Sequence, residues 1–384
     1  MLLPFNIDEY QQRLAKIREE FVAQGLSAIV VTLPDSLNWL TGYDSIGYLW
    51  TQVLIIPAVG DVVFITRTTE EPGFNETSYL TQSQAVFYDI TATNVVKVIG
   101  NTLEDFGLDK SSIGIELQSF TFLPYQWDQL RAQLPNASWS DTTWLVAEAR
   151  LIKSPTELFY QRQAAEIADI AMESALGSLR PGISEVEVAG IAAKAMGDAG
   201  GEYAAIPPMV VSGRRSALVH CMPKRISMSQ GDVVCIELGA SVNRYHAIVM
   251  RTAILGQPTG RLREVHDCLE EGFDAALAAA KPGAKAQEPD DACNAVLVKL
   301  DLVRRRCHRI GYSIGLAYPP GWLEPMMLVA GDDHILAPNM SFSLEPNLTL
   351  QDEGFGVKLG ETAVCTAEGP LSLSRLPHKL TVVN

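Results

Sequence analysis

The sequence predicts two domains of mixed structure, an α/β domain over residues 1–150 and an α+β domain over residues 151–384. Strand-like and helix-like segments alternate in the first domain, which is typical of an α/β fold. In the second domain, capped helices are followed by strand-like runs after residue 205, which indicates antiparallel strands with helices on one side. A chain of 384 residues is long enough for two domains, at about 150 residues each.

The first domain opens with a helix, because apolar residues recur at helical spacing within residues 8–25 and Gly25 can end it. The run LSAIVVTL (26–33) then predicts a buried strand, and TQVLIIPA and DVVFITR predict two more on either side of Gly60. Residues 106–118 add a loop and a strand, and residues 123–134 indicate a helix. This alternation ends near residue 150.

The second domain begins with two helices whose start signals are strong. Ser154 and Thr156 are both candidates for the cap of the first helix, with Pro155 tolerated in its first turn, and Ser184 with Glu187 forms a capping box at the second. Strand-like runs follow, namely PPMVVSG, DVVCIELGASV and AIVMRTAIL, and long helices are expected near 262–280 and 289–303. The runs MSFSLEPNLTL and GVKLGETAVCT predict further strands near the end.

Composition bounds the function. A net charge of −15 argues against nucleic acid or an anionic membrane as a partner, since both select basic surfaces. It is compatible with a small cationic or zwitterionic substrate, but also with plain solubility. No stretch resembles a signal peptide and no run of 18 apolar residues occurs. The six cysteines lack a CxxC spacing, so we expect reduced core residues in a cytoplasmic protein.

Three glutamates lie inside strand-like apolar runs: Glu237 in VVCIELGA, Glu345 in SFSLEPNL and Glu361 in VKLGETAVCT. A buried carboxylate costs several kcal/mol unless it is paired or bound. Each glutamate by itself is as compatible with an exposed edge strand as with a buried position, but three in one domain suggest a negatively charged cavity. Such a cavity demands a metal, a cationic ligand or raised pKa values.

His220 precedes the Glu237 strand by a turn and is the histidine that we associate with this cavity. A lone histidine beside apolar residues is more often structural than catalytic. The remaining histidines lie in settings that look exposed or helical, and we expect no role for them: His246, His266, His308, His334 and His378.

These segments carry a resemblance to the creatinase/prolidase (M24, "pita-bread") family, which includes aminopeptidase P and methionine aminopeptidase. The matching pieces are RLIKSPTEL, His220 followed by GDVVCIELGASVNRYHAIVMRT, then GYSIGLAYPPGW, LAPNMSFSLEPNL and GVKLGETAVCT. Residues 1–150, with NWLTGYDSIGYLW, resemble the family's N-terminal domain. The resemblance implies a creatinase-like α/β domain followed by a pita-bread catalytic domain.

The chain departs from the family's two-metal pattern of two aspartates, one histidine and two glutamates. The resemblance puts the first aspartate at Glu237, the second at Ile248 and the histidine at Tyr312. A second catalytic histidine falls on Pro319, while Glu345 and Glu361 match the glutamates. Divalent cations need several donors in fixed geometry, so we expect no metal and no other cofactor, as in the metal-independent members creatinase and ectoine hydrolase.

Without metals, a substrate cation such as a guanidinium or amidinium group would balance the carboxylates. The sequence therefore predicts a metal-independent hydrolase of a C–N bond in a small amidine, guanidine or cyclised amino-acid derivative. His220 would be the general base, or Glu237 would be a nucleophile, and the sequence leaves both open. An arginine would hold a substrate carboxylate, with Arg67, Arg214 and Arg215 as candidates, and other expected substrate contacts are Trp50, Tyr245, Tyr312 and Trp322.

Two other functions stay open. One is a metallopeptidase of the Xaa-Pro type with an unusual site, which would use a divalent metal such as Mn or Zn. The other is a non-catalytic peptide-binding module, although buried charge has no reason to persist in a degenerate site. The resemblance also implies a homodimer in which the N-terminal domain of one subunit closes the site of the other.

Overall fold

The structure, a computed structural model, describes residues 2–91 and 93–384. The chain divides into two compact units between Arg150 and Leu151. Each unit mixes helices with a sheet, so the predicted fold class is confirmed. None of the helices within the described residues combines the length and apolarity that a membrane span requires.

The first unit is built on a six-stranded sheet in the order β4-β3-β2-β1-β5-β6. Strand β1 pairs antiparallel with β2 and parallel with β5, so the sheet is mixed. Its strands are β1 (Ala28–Val31), β2 (Val53–Pro57), β3 (Val63–Arg67), β4 (Ala85–Tyr88), β5 (Ser112–Ile115) and β6 (Ser138–Asp141). Its helices are α1 (Ile7–Ala23), α2 (Pro34–Thr41), α3 (Glu71–Thr77), α4 (Val95–Asp105), α5 (Pro124–Gln133) and α6 (Thr143–Ala149).

The second unit contains four α-helices and eleven strands. The helices are α7 (Pro155–Ser178), α8 (Glu185–Asp198), α9 (Gly260–Ala279) and α10 (Gln287–Leu297). The strands are β7 (Met209–Ser212), β8 (Val233–Val242), β9 (Tyr245–Leu255), β10 (Gly311–Ile314), β11 (Leu323–Leu328), β12 (Ser341–Leu344), β13 (Asn347–Leu350), β14 (Phe355–Lys358), β15 (Gly360–Thr366), β16 (Gly369–Ser372) and β17 (Thr381–Val383). Of the two candidates for the cap of α7, Ser154 is the one that caps the helix, and the predicted capping box at Ser184 is confirmed.

The main sheet of the second unit has the path β11-β10-β12-β15-β9-β8-β7, with β16 on β15 and β17 on β9. Neighbouring strands on the path run antiparallel. Alternate residues of these strands pack against the helices, in one cluster with α7 and α8 and in another with α9 and α10. All four helices therefore cover one face of the sheet, as the sequence predicted. The strand residues that alternate with these core residues point to the opposite face of the sheet, called here the open face.

The predicted strand MSFSLEPNLTL is broken in two. Strand β12 ends at Leu344, and β13 begins at Asn347 in a separate two-stranded sheet with β14. Pro346 lacks the N–H that would continue the ladder, which accounts for the break. Glu345 consequently lies at a strand end, with its N–H donating to the Ile310 carbonyl at 2.6 Å.

Candidate active site

The pairing of β8 with β9 directs Glu237 to the open face. Glu237 lies opposite Met250, while its neighbours Ile236 and Leu238 pack against α7 and α8. Met250 belongs instead to an apolar cluster that includes Ile248, Tyr312 and Trp322. Residues directly opposite in an antiparallel pair share a face of the sheet, so Glu237 and this cluster lie on the same side.

Glu237 is bound by a lysine that the sequence reading overlooked. Lys358 Nζ lies 2.7 Å from Glu237 Oε2 and also donates to the Val219 carbonyl at 2.7 Å. Both side chains are buried, with 4% and 7% of their surfaces exposed. The signal was present in the sequence, because Lys358 lies between Val357 and Leu359 in an apolar strand and a buried ammonium needs an anionic partner.

Glu345 forms the second carboxyl of the open face. Ser343 Oγ donates to its Oε2 at 2.7 Å, the Tyr312 hydroxyl donates to the same carboxylate, and the Trp322 indole donates to the Tyr312 oxygen at 2.7 Å. Burial raises the pKa of Glu345 to about 8, and the negative charge of Glu237 adds to the rise. Burial also raises the pKa of Tyr312 well above its usual value, so its hydroxyl remains a donor.

Two histidines stack near these carboxyls. The His220 ring lies parallel to His308 with 5.9 Å between centroids, and His220 itself is exposed on a turn. His308 Nδ1 bonds the Arg309 carbonyl at 2.6 Å, while its buried Nε2 has no hydrogen-bond partner among the described residues. Burial lowers the pKa of His308, against the opposing charge of Glu237. His308, for which no role was expected, therefore lies beside the residues of this site.

Two further polar groups near Glu345 were also missed. Arg309 lies with its guanidinium 4.8 Å from the Tyr312 ring, and its positive charge acts on Glu345. The Nε of Arg309 and the Oδ1 of Asn347 are buried and have no partner within the part of the chain that is described. Unsatisfied buried polar atoms are rare in folded proteins, so their presence beside two carboxyls is typical of a binding site.

The expected convergence of Glu361 with the other two glutamates is wrong. Glu361 lies opposite Val249, which packs against α7 and α8, so it faces the helices. Its carboxylate is held by Arg251 at 2.7 Å and His378 at 3.2 Å, and Ser372 donates to it. The segment GVKLGETAV indicated the direction of the Glu361 side chain. Glu361 follows Val357 and Leu359 at every second residue, and both of those residues belong to the core under the helices.

The residue of this strand that faces Glu345 is Gly360. It lies opposite Met250 on the open face, and a Cβ built on it would lie 2.9 Å from the Glu345 Cβ. No third carboxylate can be placed there without moving Glu345.

Most of the expected substrate contacts have structural partners instead. In the first unit, Arg67 pairs with Glu70 at 2.6 Å and its guanidinium stacks 3.5 Å from the Trp50 ring. In the second unit, Arg215 pairs with the buried Glu185 at 3.1 Å, and Tyr245 donates to Glu157 at 2.6 Å. Tyr312 and Trp322 do lie beside Glu345, but Trp322 is 1% exposed and acts through Tyr312.

Two other histidines are buried, and His246, on β9, lies in neither the exposed nor the helical setting that was expected. His246 is 0% exposed, accepts from the Ala205 N–H at 2.9 Å, and burial lowers its pKa to about 3. It is a neutral structural residue. His266 is 1% exposed on α9 and groups with Asp267 and Glu270, with ligand-capable atoms within 4.8 Å of one another. That group is on a helix of the covered face, apart from Glu237 and Glu345.

Comparisons with known proteins agree with this architecture. The model of the metallopeptidase family M24 matches residues 160–367, and that of the creatinase/prolidase N-terminal domain matches residues 13–152. The chain belongs to the creatinase/prolidase family. The expected family is thereby confirmed, and with it the general assignment as a hydrolase of the M24 type.

Relatives within the creatinase/prolidase family carry more than one activity. The chain is 31% identical to ectoine hydrolase of Halomonas elongata over 99% of this chain and 98% of the relative. It is 25% identical to Xaa-Pro dipeptidase of Lactobacillus helveticus over 98% and 99%. Among solved structures, prolidase from Thermococcus sibiricus superposes with a TM-score of 0.89 at 23% identity, covering 97% of this chain and 99% of that one. This likeness shows the fold alone.

Proposed function

We propose that this protein hydrolyses a C–N bond of a small zwitterionic amidine, with Glu237 and Glu345 as its catalytic carboxyls and without a divalent metal. The observation that carries the proposal is the unequal environment of the two groups. Glu237 is paired with an ammonium, whereas burial keeps Glu345 protonated up to about pH 8. Carboxyls whose environments differ in this way serve as base and acid in hydrolysis.

The donor set does not fit the two-metal pattern of the family. Ile248 has no donor atom, the Tyr312 hydroxyl is committed to Glu345, and Glu361 faces the helices. Glu237 already has a cation at contact distance, and a second one would be repelled. Hard divalent cations require several donors gathered in a fixed geometry, and among the described residues no group of three metal-ligating side chains (His, Cys, Asp or Glu) closes around Glu237 and Glu345.

The reaction balances with the two carboxyls alone. Glu237 takes a proton from water as the water oxygen bonds to the amidinium carbon. Glu345 then gives its proton to the departing nitrogen as the C–N bond breaks, and the hydroxyl proton of the intermediate returns to Glu345. The amine leaves with the proton held by Glu237, so an amidinium ion and water become an amide and an ammonium ion.

Two other routes use the same residues. In one, Glu237 attacks the amidinium carbon directly and water resolves the acyl intermediate. In the other, His220 is the base that activates water. The exposed position of His220, stacked on His308, favours Glu237 for the first proton transfer.

Arg309 supports a substrate that carries a carboxylate as well as an amidine. Its buried Nε lacks a partner among the described residues, and guanidinium groups match carboxylates in a bidentate manner. The 31% identity with ectoine hydrolase supports the same substrate class, since ectoine is a cyclic amidine with a carboxylate. The sequence predicted that a substrate cation balances the carboxylates. Because Lys358 already pairs with Glu237, the substrate does not have to supply all of that positive charge.

The test is a turnover assay on ectoine, other cyclic amidines, guanidino acids and Xaa-Pro dipeptides, with and without chelator or added Mn²⁺. We expect an amidine to be cleaved at a rate that the chelator leaves unchanged. Glu237→Gln and Glu345→Gln should each lose about 100-fold or more in kcat, whereas Glu264→Gln on the exposed side of α9 should not. Normal turnover in both site variants would contradict the assignment.

The runner-up function is an Xaa-Pro dipeptidase, which the names of several relatives favour. The same assay separates the two functions. Cleavage of Xaa-Pro dipeptides that requires Mn²⁺ and is lost to the chelator would establish the peptidase. A homodimer and a cytoplasmic location remain predictions from the sequence.

A further inference from the structure

Lys358 is a buried charge at the centre of the candidate active site. The residue is 3% exposed, and its Nζ lies 2.7 Å from both Glu237 Oε2 and the Val219 carbonyl. The Val219 carbonyl belongs to the turn that carries His220. One ammonium therefore joins the Glu237 strand to the His220 turn.

The main chain of Lys358 is fixed as firmly as its side chain. The Thr252 hydroxyl accepts from the Lys358 N–H at 2.8 Å and donates to the Lys358 carbonyl at 2.8 Å. Thr252 lies on β9, next to the strand of Glu237. The backbone of Lys358 is thus held to the main sheet, which leaves its ammonium little freedom of position.

The strand register also connects Lys358 to the second carboxyl. Lys358 pairs with Asn347 on β13, two residues beyond Glu345, and Gly360, two residues after Lys358, packs against Glu345. Lys358 thus places a positive charge beside Glu237, and Gly360 leaves room for Glu345. Two residues of one short segment therefore act on the two carboxyls: Lys358 contacts Glu237, and Gly360 contacts Glu345.

We propose that Lys358 is the resident cation of this site, a positioning residue that balances and orients Glu237 where the metallopeptidases of the family use metal ions. A buried carboxylate without a partner is strongly destabilised, and an ammonium at contact distance supplies the missing charge. Because this ammonium is part of the chain, the charge of Glu237 is balanced without a metal ion from solution. The catalytic consequence of this inference rests on the proposed hydrolysis, whereas the ion pair itself does not.

The first experiment is chemical rescue of Lys358→Ala. The kcat/KM of this variant should fall about 100-fold. Ethylammonium ions should recover at least about a tenth of the kcat/KM that the change removes, because they carry a positive charge and N–H donors. Tetramethylammonium, which has the charge but no donor, should not restore turnover. Lys153→Ala is the matched control, since Lys153 forms another buried ion pair, with Glu324, in the same unit. It should lose stability but gain nothing from ethylammonium.

Assays are made below the melting temperatures of both alanine variants, so that loss of fold does not imitate loss of function. Full turnover of folded Lys358→Ala, or equal rescue of both variants by ethylammonium, would overturn the proposal.

A second experiment needs no substrate and so separates failure of this inference from failure of the proposed function. Lys358→Met, Glu237→Gln and the double variant are compared by urea denaturation. We expect the double variant to lose less stability than the two single changes together, because each single change leaves a buried partner uncompensated. Additive losses would show that the two residues are not coupled and would overturn the inference, whichever substrate the enzyme cleaves.

Discussion

Gly360 lies against Glu345 so closely that a Cβ on residue 360 would be 2.9 Å from the Glu345 Cβ and 3.0 Å from its Cα. Real Cβ contacts are longer than this, so any side chain at this position must displace the strand end that carries Glu345. The absence of a side chain at residue 360 is therefore required for the observed position of the Glu345 carboxyl group.

We therefore expect Gly360→Ala to lower kcat by about tenfold or more, because a shift of about 1 Å in a catalytic group is costly. The control is Gly190→Ala on α8, where nothing lies within 4 Å of the added methyl. That change should leave turnover unaltered and add about 0.5–1 kcal/mol of stability, since alanine favours the helix. Unchanged turnover in Gly360→Ala would show that Glu345 tolerates displacement.

Glu361→Ala should destabilise the fold without removing catalysis. The change leaves the buried Arg251 without its carboxylate, and breaking a buried pair costs about 3–5 kcal/mol. Urea denaturation measures the loss, and assays on the folded fraction measure turnover per active molecule. If stability stayed the same while turnover vanished, Glu361 would belong to the reaction after all.

The reaction should lose rate at alkaline pH because the acid form of Glu345 is the active one. Burial raises its pKa from the usual 4.5 to about 8, so the proton is present at neutral pH and is lost as the pH rises through that value. A plot of kcat/KM against pH should therefore fall with a midpoint near 8, because this ratio reports the ionisation of the free enzyme. In the slow variant Glu345→Gln that limb should disappear, and its persistence there would assign it to another group.

Arg309→Met should raise KM more than it lowers kcat. A charged hydrogen bond to substrate is worth about 1.5–3 kcal/mol, or about 10- to 100-fold in KM when it acts equally on the ground and transition states. Arg305→Met is the matched control, since Arg305 lies four residues earlier and pairs at the surface with Asp352. A substrate analogue without the carboxylate should bind the wild type and Arg309→Met alike. Equal KM values for the full substrate would remove Arg309 from the site.

Local signals predicted much of this fold. The cap of α7, the capping box at Ser184 and the long α9 were predictable, because caps and helical periodicity depend on residues close in sequence. The strand break after Glu345 was missed although Pro346 is its cause. The wrong face was assumed for Glu361 because its apolar neighbours were used as a sign of burial, while the alternation of residues along the segment, which indicates direction, was not used.

The sequence by itself determined the family, the mixed fold class, and the presence of costly buried carboxylates at Glu237 and Glu345. It did so because motif order, helix caps and apolar strands are properties of neighbouring residues. Only the tertiary structure decided which charges meet: Lys358 with Glu237, Arg251 with Glu361, and Arg309 near Glu345. Those partners are 36 to 121 residues apart in the chain, and only strand register and side-chain direction, set by packing of the whole sheet, bring them together.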